Sequence, residues 1–243
     1  MPATSHLIRF KQEGKTESVI RHLEEMIALG LLAQGEQLPR EPILAARLGV
    51  APVTLRDALA VLRTRGVIET RRGRSGGSFI CAAPQSSVQA LYTRLRGFSA
   101  LELRDYTDEH VAIAAAAAEL AAQRAGPDEH ERLQMLIDAL GAAGDAREQR
   151  QADARFHIEI AVAAQSVRLT HSEVRLQAEL GELLWLAYGA EPDIPAMQRE
   201  HSAIVEAIKA NDSALAVALA RAHVIKEMRK LTSLRLEQIA QLE

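Results

Sequence analysis

Four polar side chains in the second half of the chain combine residue types and spacings that suit a metal ion. Asp153 and His157 stand four apart in DARFHIEI, while His201 lies in REHSAIVEAIKAND and His223 in ALARAHVIKEM. On a helix, a spacing of four puts both side chains on one face. Phe156 and Ile160 border that face, which places the Asp153–His157 pair near a core. His201 and His223 fall on two successive helices joined by a turn at Asn211 and Asp212, and antiparallel neighbours can bring both to one level. Ile204, Val205 and Ile208 on one helix, and Leu219 and Ile225 on the other, mark the inward sides. Three imidazoles and one carboxylate suit a borderline divalent ion, Zn²⁺ first, with Ni²⁺, Mn²⁺ or Co²⁺ as alternatives. Such an ion would stabilise polar groups whose unpaired burial is costly. It would also leave positions for water or a ligand carboxylate. Spacing alone leaves a second possibility open, four separate polar residues on helix surfaces. His110, His130 and His171 have no comparable partners in the sequence and are expected at the surface.

The elements that must carry these residues are helices. From residue 86 to the end the pattern is helical, over about 86–96, 99–124, 128–142, 145–164, 168–188, 195–209 and 212–240. Breaks fall at Gly97, AGPDE, GAAGD, the Ser166 region, YGAEPDIP and Asn211–Asp212. No stretch there alternates as a sheet would, so this module reads as an antiparallel all-helical bundle. Hydrophobic residues make up 48% of the 243 residues and aromatics 3%, with Ala and Leu dominant, which favours helices packed through small and aliphatic side chains. The length allows two domains with their own cores. The single cysteine, Cys81, excludes an internal disulfide and a Cys-rich zinc module, and reads as an inert structural thiol.

Charge divides the chain in the same place. Residues 1–83 carry 12 Lys and Arg against 8 Asp and Glu, and residues 84–243 carry 17 against 24. The basic front opens with a helix in TESVIRHLEEMIALGLL, whose Val19, Ile20, Leu23, Met26 and Ile27 fall on one side. Pro39 and Pro42 mark the start of a second helix that buries Ile43, Leu44 and Leu48 and ends at Gly49. A third helix starts near Pro52, with Leu55, Leu59 and Leu62 inward. Two short helices joined by a tight glycine-containing turn form a helix-turn-helix. VIETRRGRSGGSFI then reads as a hairpin with a basic glycine-rich tip. The fold class is therefore mostly α, an N-terminal winged helix-turn-helix with a small β-hairpin wing (1–83) and a C-terminal antiparallel helical bundle (84–243).

Such a front binds double-stranded DNA. The third helix enters the major groove with its N-terminal residues nearest the bases. Thr54 and Arg56 are the first candidates. Arg56 either bonds guanine bidentately or holds a phosphate, and Thr54 either contacts DNA or serves the helix start. Arg40 and the wing residues Arg71, Arg72 and Arg74 follow, as phosphate or minor-groove contacts. Arg47 and Arg63 rank below them. The N-terminal residues lack a signal-peptide pattern, and no stretch approaches 18 uncharged apolar residues, so a cytoplasmic protein without a membrane partner is expected.

At these residues the chain resembles the GntR family of bacterial transcription regulators, in the FadR-like branch with an FCD ligand-binding domain. The front carries the resemblance in GEQLPREPILAARLGV, VTLRDALAVLRTRGVIE and GRSGGSFI, the rear in ELAAQRA, DARFH, EHSAIVEAI and ALARAHV. The resemblance implies a homodimer on a palindromic operator, and Asp153, His157, His201 and His223 as ligands of a divalent ion. It further implies a small organic acid as effector, whose binding releases the operator. Some positions depart from the family pattern. Pro42 and Pro52 stand where arginines are usual, with Arg56 retained. His110 and Ala114 replace a usual Arg and Glu, and Ser166 replaces a usual Asn. The effector residues are thus not named by the motifs, and the positions to watch are His110 and Ser166. The leading expectation is a DNA-binding repressor rather than an enzyme. Two alternatives remain open, a regulator for which the ion itself is the signal and, more remotely, a metal-dependent hydrolase.

Overall fold

A computed structural model describes residues 14–73, 76–81 and 86–241. These fall into two compact units, one of the described residues up to 81 and one of those from 86 on, with residues 28–30 grouped with the second. The expected boundary at 83/84 lies outside the described residues, as does Arg74.

The first unit contains α1 (Lys15–Ala28), α2 (Glu41–Leu48), α3 (Pro52–Thr64), β1 (Ile68–Arg71) and β2 (Gly77–Ile80). Its core joins Val19, Ile20, Leu23 and Ile27 of α1 to Leu44 of α2, Leu55, Leu59 and Leu62 of α3, and Ile68 and Ile80 of the hairpin. Helix α2 stops at Gly49, whose φ of 65° is the left-handed conformation that a side chain would strain. Pro52 then opens α3. The strands pair antiparallel, Ile68 opposite Ile80 and Arg71 opposite Gly77. The stretch before α2 adds a bridge that the sequence pattern does not reveal, Gln37 opposite Phe79, with the Leu38 N–H donating to the Ser78 carbonyl at 2.9 Å. One expectation is corrected here. Ile43 is half exposed rather than buried, because an eight-residue helix has a narrow inward stripe and Leu44 and Ala45 fill it.

The second unit is helical throughout its described residues: α4 (Val88–Gly97), α5 (Ala100–Arg124), α6 (Pro127–Ala142), α7 (Ala146–Ala163), α8 (Val167–Tyr188), α9 (Ile194–Lys209) and α10 (Ser213–Ala240). Small residues on α5, among them Ala117, Ala118 and Ala121, let α7, α9 and α10 approach it closely, around Phe156, Ile160, Ile204, Val205 and Ile208. A second apolar cluster joins Leu91 and Leu95 of α4 to Leu176, Leu180 and Leu183 of α8 and to Val224, Met228 and Leu231 of α10. The turn between α9 and α10 is tight, with Asn211 left-handed at φ 55°. Asp212 caps α10, its Oδ1 accepting from the Leu215 N–H at 2.9 Å. Asp212→Ala is expected to cost about 0.5–2 kcal/mol and to lower the melting temperature by about 1–8 °C. Thermal unfolding followed by circular dichroism checks this, and an unchanged midpoint contradicts it.

Candidate metal centre and DNA-binding surface

Helix α7 turns Asp153 and His157 inward one turn apart, α9 contributes His201, and α10 contributes His223. All four are buried, with His201 at 0% exposure and His157, the most open, at 7%. The structure brings these four sequence-derived candidates together. The imidazoles of His157, His201 and His223 have centroids 5.0–5.5 Å apart, and one nitrogen from each lies within 4.8 Å of the others. His201 Nε2 is 3.5 Å from Asp153 Oδ1.

The hydrogen bonds divide into an outer set that is made and an inner set that is not. Trp185 Nε1 donates to Asp153 Oδ2 at 2.9 Å, and His223 Nδ1 pairs with Glu200 Oε2 at 2.9 Å. Lys226 holds the other oxygen of Glu200. Asp153 Oδ1 and the Nε2 atoms of His157, His201 and His223 are buried without a hydrogen-bond partner. An isolated buried orphan of this kind costs about 1–3 kcal/mol. Four of them within one cluster fit a divalent ion, and outer partners such as Trp185 and Glu200 are what orient metal ligands.

Two carboxylates that the sequence reading did not single out also line the cluster. Glu227, four residues after His223 on α10, is 2% exposed. Its Oε1 accepts from the Tyr188 hydroxyl at 2.9 Å and lies 3.6 Å from His223 Nε2. The spacing that picks out Asp153 and His157 could have found it. Glu173 of α8 is buried beside His110, 3.6 Å from its Nε2, and accepts from Gln177 Nε2 at 2.8 Å. His110 is therefore not the expected surface residue. It is 1% exposed, with its ring centroid 6.2 Å from that of His157, because α8 supplies a carboxylate 63 positions away that no local spacing reveals. His130 is half-buried and His171 exposed. Ser166 caps α8, its hydroxyl accepting from the Leu169 N–H, and is not among the residues lining the cavity beside the cluster.

Burial holds His157 neutral by pushing its pKa down to about 4. His201 is pushed well below the usual histidine range by burial and then by the neighbouring imidazoles. For His223, burial acts downward, but the carboxylates of Glu227, Glu200 and Asp153 outweigh it and raise the pKa. His110 is raised in the same way by Glu173. Asp153 is raised, by burial first and then by the charge of Glu227. The metal-free cluster thus keeps protons on His223 and Asp153 to higher pH than isolated side chains would. A divalent ion must displace them. Zn²⁺ binding is expected to release protons, with affinity rising as pH rises, because the carboxylates around His223 favour its protonated form. Calorimetry in two buffers of different ionisation enthalpy measures this, and equal heats in both would contradict it.

On the first unit, α3 presents Pro52, Val53, Arg56 and Asp57 to solvent, and Thr54 is half-buried. Val53 is an apolar side chain 61% exposed at this end of the helix. Arg56 Nε donates to Glu41 Oε2 at 3.1 Å. Arg40 is exposed at the start of α2, and a groove between helices and hairpin is lined by Arg40, Arg63, Thr70 and Ser78. In the wing, Arg72 is exposed, whereas Arg71 is held by Glu69 Oε1 at 2.8 Å and stacks over Phe79, 4.2 Å from its centroid. Arg71 thus has a structural occupation that its sequence neighbours do not announce. Among the described residues, no helix is long and apolar enough to cross a membrane.

Comparison with known proteins agrees with both halves. Residues 15–77 match the family described as bacterial regulatory proteins, gntR family, and residues 110–226 match the FCD domain. The putative HTH-type transcriptional regulator RmpR of Mycobacterium gastri is 40% identical over 226 residues, covering 92% of this chain and 82% of its own. The putative L-lactate dehydrogenase operon regulatory protein of Escherichia coli is 34% identical over 197 residues, covering 75% and 72%. Among solved structures, E. coli McbR/YncC matches with a TM-score of 0.53 at 18% identity, covering 94% of this chain and all of that one, which shows a shared fold. A helix-turn-helix with its hairpin, followed by an FCD bundle and found together in relatives this similar, identifies the chain as a member of the GntR family of DNA-binding transcriptional regulators.

Proposed function

We propose that this regulator is a cytoplasmic homodimeric repressor of the FadR-like branch, binding a palindromic double-stranded operator. Its bundle holds one divalent ion, Zn²⁺ first, through Asp153, His157, His201 and His223. A small organic acid binding at or near that ion sets operator affinity. The observation that carries the reading is the set of buried, unpartnered ligand atoms on three helices, each turned into one cluster while outer partners hold the far side of Asp153 and His223. Bound there, a divalent ion supplies positive charge and a coordination position for an anionic ligand. Arg40, Thr54, Arg56, Arg71, Arg72 and Arg74 form the DNA surface, and two copies of it on a two-fold site double the sequence that is read.

The effector changes operator affinity by its differential binding to two arrangements of the dimer. The name of the E. coli relative makes L-lactate the first acid to try. The test uses duplex DNA selected from a random pool by the Zn²⁺-loaded chain, with binding measured with and without chelator and with and without L-lactate and related acids. Release by an acid in the presence of the ion supports the reading. Binding that follows the ion alone, whatever acid is added, moves the signal to the metal. Indifference to both removes the sensor role.

A further inference from the structure

Glu227 completes a pattern that the four residues above leave unfinished. It lies one helical turn beyond His223 on the buried side of α10, and one of its oxygens, with one from Asp153 and a nitrogen of His157, forms a set within 4.8 Å of one another. Its Oε1, 3.6 Å from His223 Nε2, accepts from the Tyr188 hydroxyl, and its Oε2 is buried without a partner. Like Asp153, it has one oxygen that accepts a hydrogen bond and one that is buried without a partner.

Charge and space point the same way. With a divalent ion present, Asp153 and Glu227 bring the cluster to neutrality, and His110 faces Glu173 as a separate pair. An acid anion added to that set would bury an uncompensated negative charge beside Glu173, which is strongly unfavourable. The space beside the cluster, lined by Ala114, His157, Ile160, Glu173, Ala220 and His223 among others, is a cavity of about 10 Å³, room for about one water. We propose that Glu227 is a fifth protein ligand of the ion, occupying the coordination position that an acid carboxylate would otherwise take, so that an acid effector binds by displacing it. This rests on the metal reading above and adds an internal competitor to it.

The test uses the full chain loaded with Co²⁺, whose visible absorption reports its ligands, titrated with acetate as the smallest carboxylate. Glu227→Gln is expected to retain about one Co²⁺ per chain, to shift the absorption bands, and to respond to acetate at a concentration at least tenfold below wild type. Loss of the ion from a variant with unchanged circular dichroism also supports ligation. Identical spectra and identical acetate midpoints overturn the role of Glu227 and leave the metal reading standing. A wild-type chain that takes up no Co²⁺ overturns the metal reading itself. A crystal structure of the wild-type Zn²⁺ complex gives a check that no variant can confuse. A Glu227 oxygen bonded to the ion supports the proposal, and Glu227 turned away with water in that place overturns it.

Discussion

His157→Ala is expected to leave the chain without its ion, with affinity reduced by at least about 100-fold. The magnitude follows from comparison. Removing an outer partner of a ligand typically costs 10–100-fold, and His157 is a candidate ligand itself. It also belongs to both groups of potential ligands in the cluster, the three histidines and the set with Asp153 and Glu227, so its loss opens both at once. Truncation leaves a void beside Phe156, His201 and His223 that costs stability, and folding must therefore be separated from binding. The measurement is metal content after dialysis, together with circular dichroism. A folded variant retaining one ion per chain would remove His157 from the ligand set. Trp185→Phe gives a graded companion. It strips the hydrogen bond from Asp153 Oδ2 without touching a ligand atom, so a loss within the 10–100-fold range is expected there.

The second large effect is at Arg56. A bidentate contact to guanine is worth about 1–3 kcal/mol of discrimination, so Arg56→Ala is expected to weaken binding to selected duplex by roughly 5–150-fold. Random duplex should lose much less, because phosphate contacts carry non-specific affinity. Titration of labelled selected and random duplexes at one salt concentration decides this. Equal losses on both would make Arg56 a phosphate contact. The Glu41 carboxylate that holds Arg56 in the DNA-free protein sharpens the expectation. An exposed pair of this kind is weak, about 0–1 kcal/mol. It can hold the guanidinium in place and still release it to DNA. Glu41→Gln should accordingly raise affinity for both duplexes by no more than a few-fold.

The helices of the bundle were legible because their ends carry side chains that stop helices. Ser87, Ser99, Asp145, Ser166, Asp193 and Asp212 each accept a backbone N–H at a helix start. The convergence of Asp153, His157, His201 and His223 was legible for a related reason, since each stands at a position that its helix must turn inward. What escaped depends on contacts across the fold. His110 needs Glu173 on another helix, and Tyr188 meets Glu227 only because α8 and α10 pack together. Glu227 was within reach of the spacing argument, but a Glu among charged neighbours in IKEMRK reads as a solvated face until its burial is known. Ile43 failed in the opposite direction, an apolar residue left outside by a helix too short to bury it.

Helix α10 runs unbroken from Ser213 to Ala240, holds His223 and Glu227 near its middle, and near its far end donates from Arg235 Nε to the carbonyl of Phe98, the residue that ends α4. The twelve residues from His223 to Arg235 span about 18 Å. A rigid rod of that length behaves as a pointer. A tilt of about 5° at the ion, no more than exchanging one oxygen ligand for another would require, would carry its tip by roughly 1.5 Å, about the displacement by which helices shift in switching proteins. The tip grips the end of α4, so a change of one bond at the cluster would arrive at that end of the bundle already magnified.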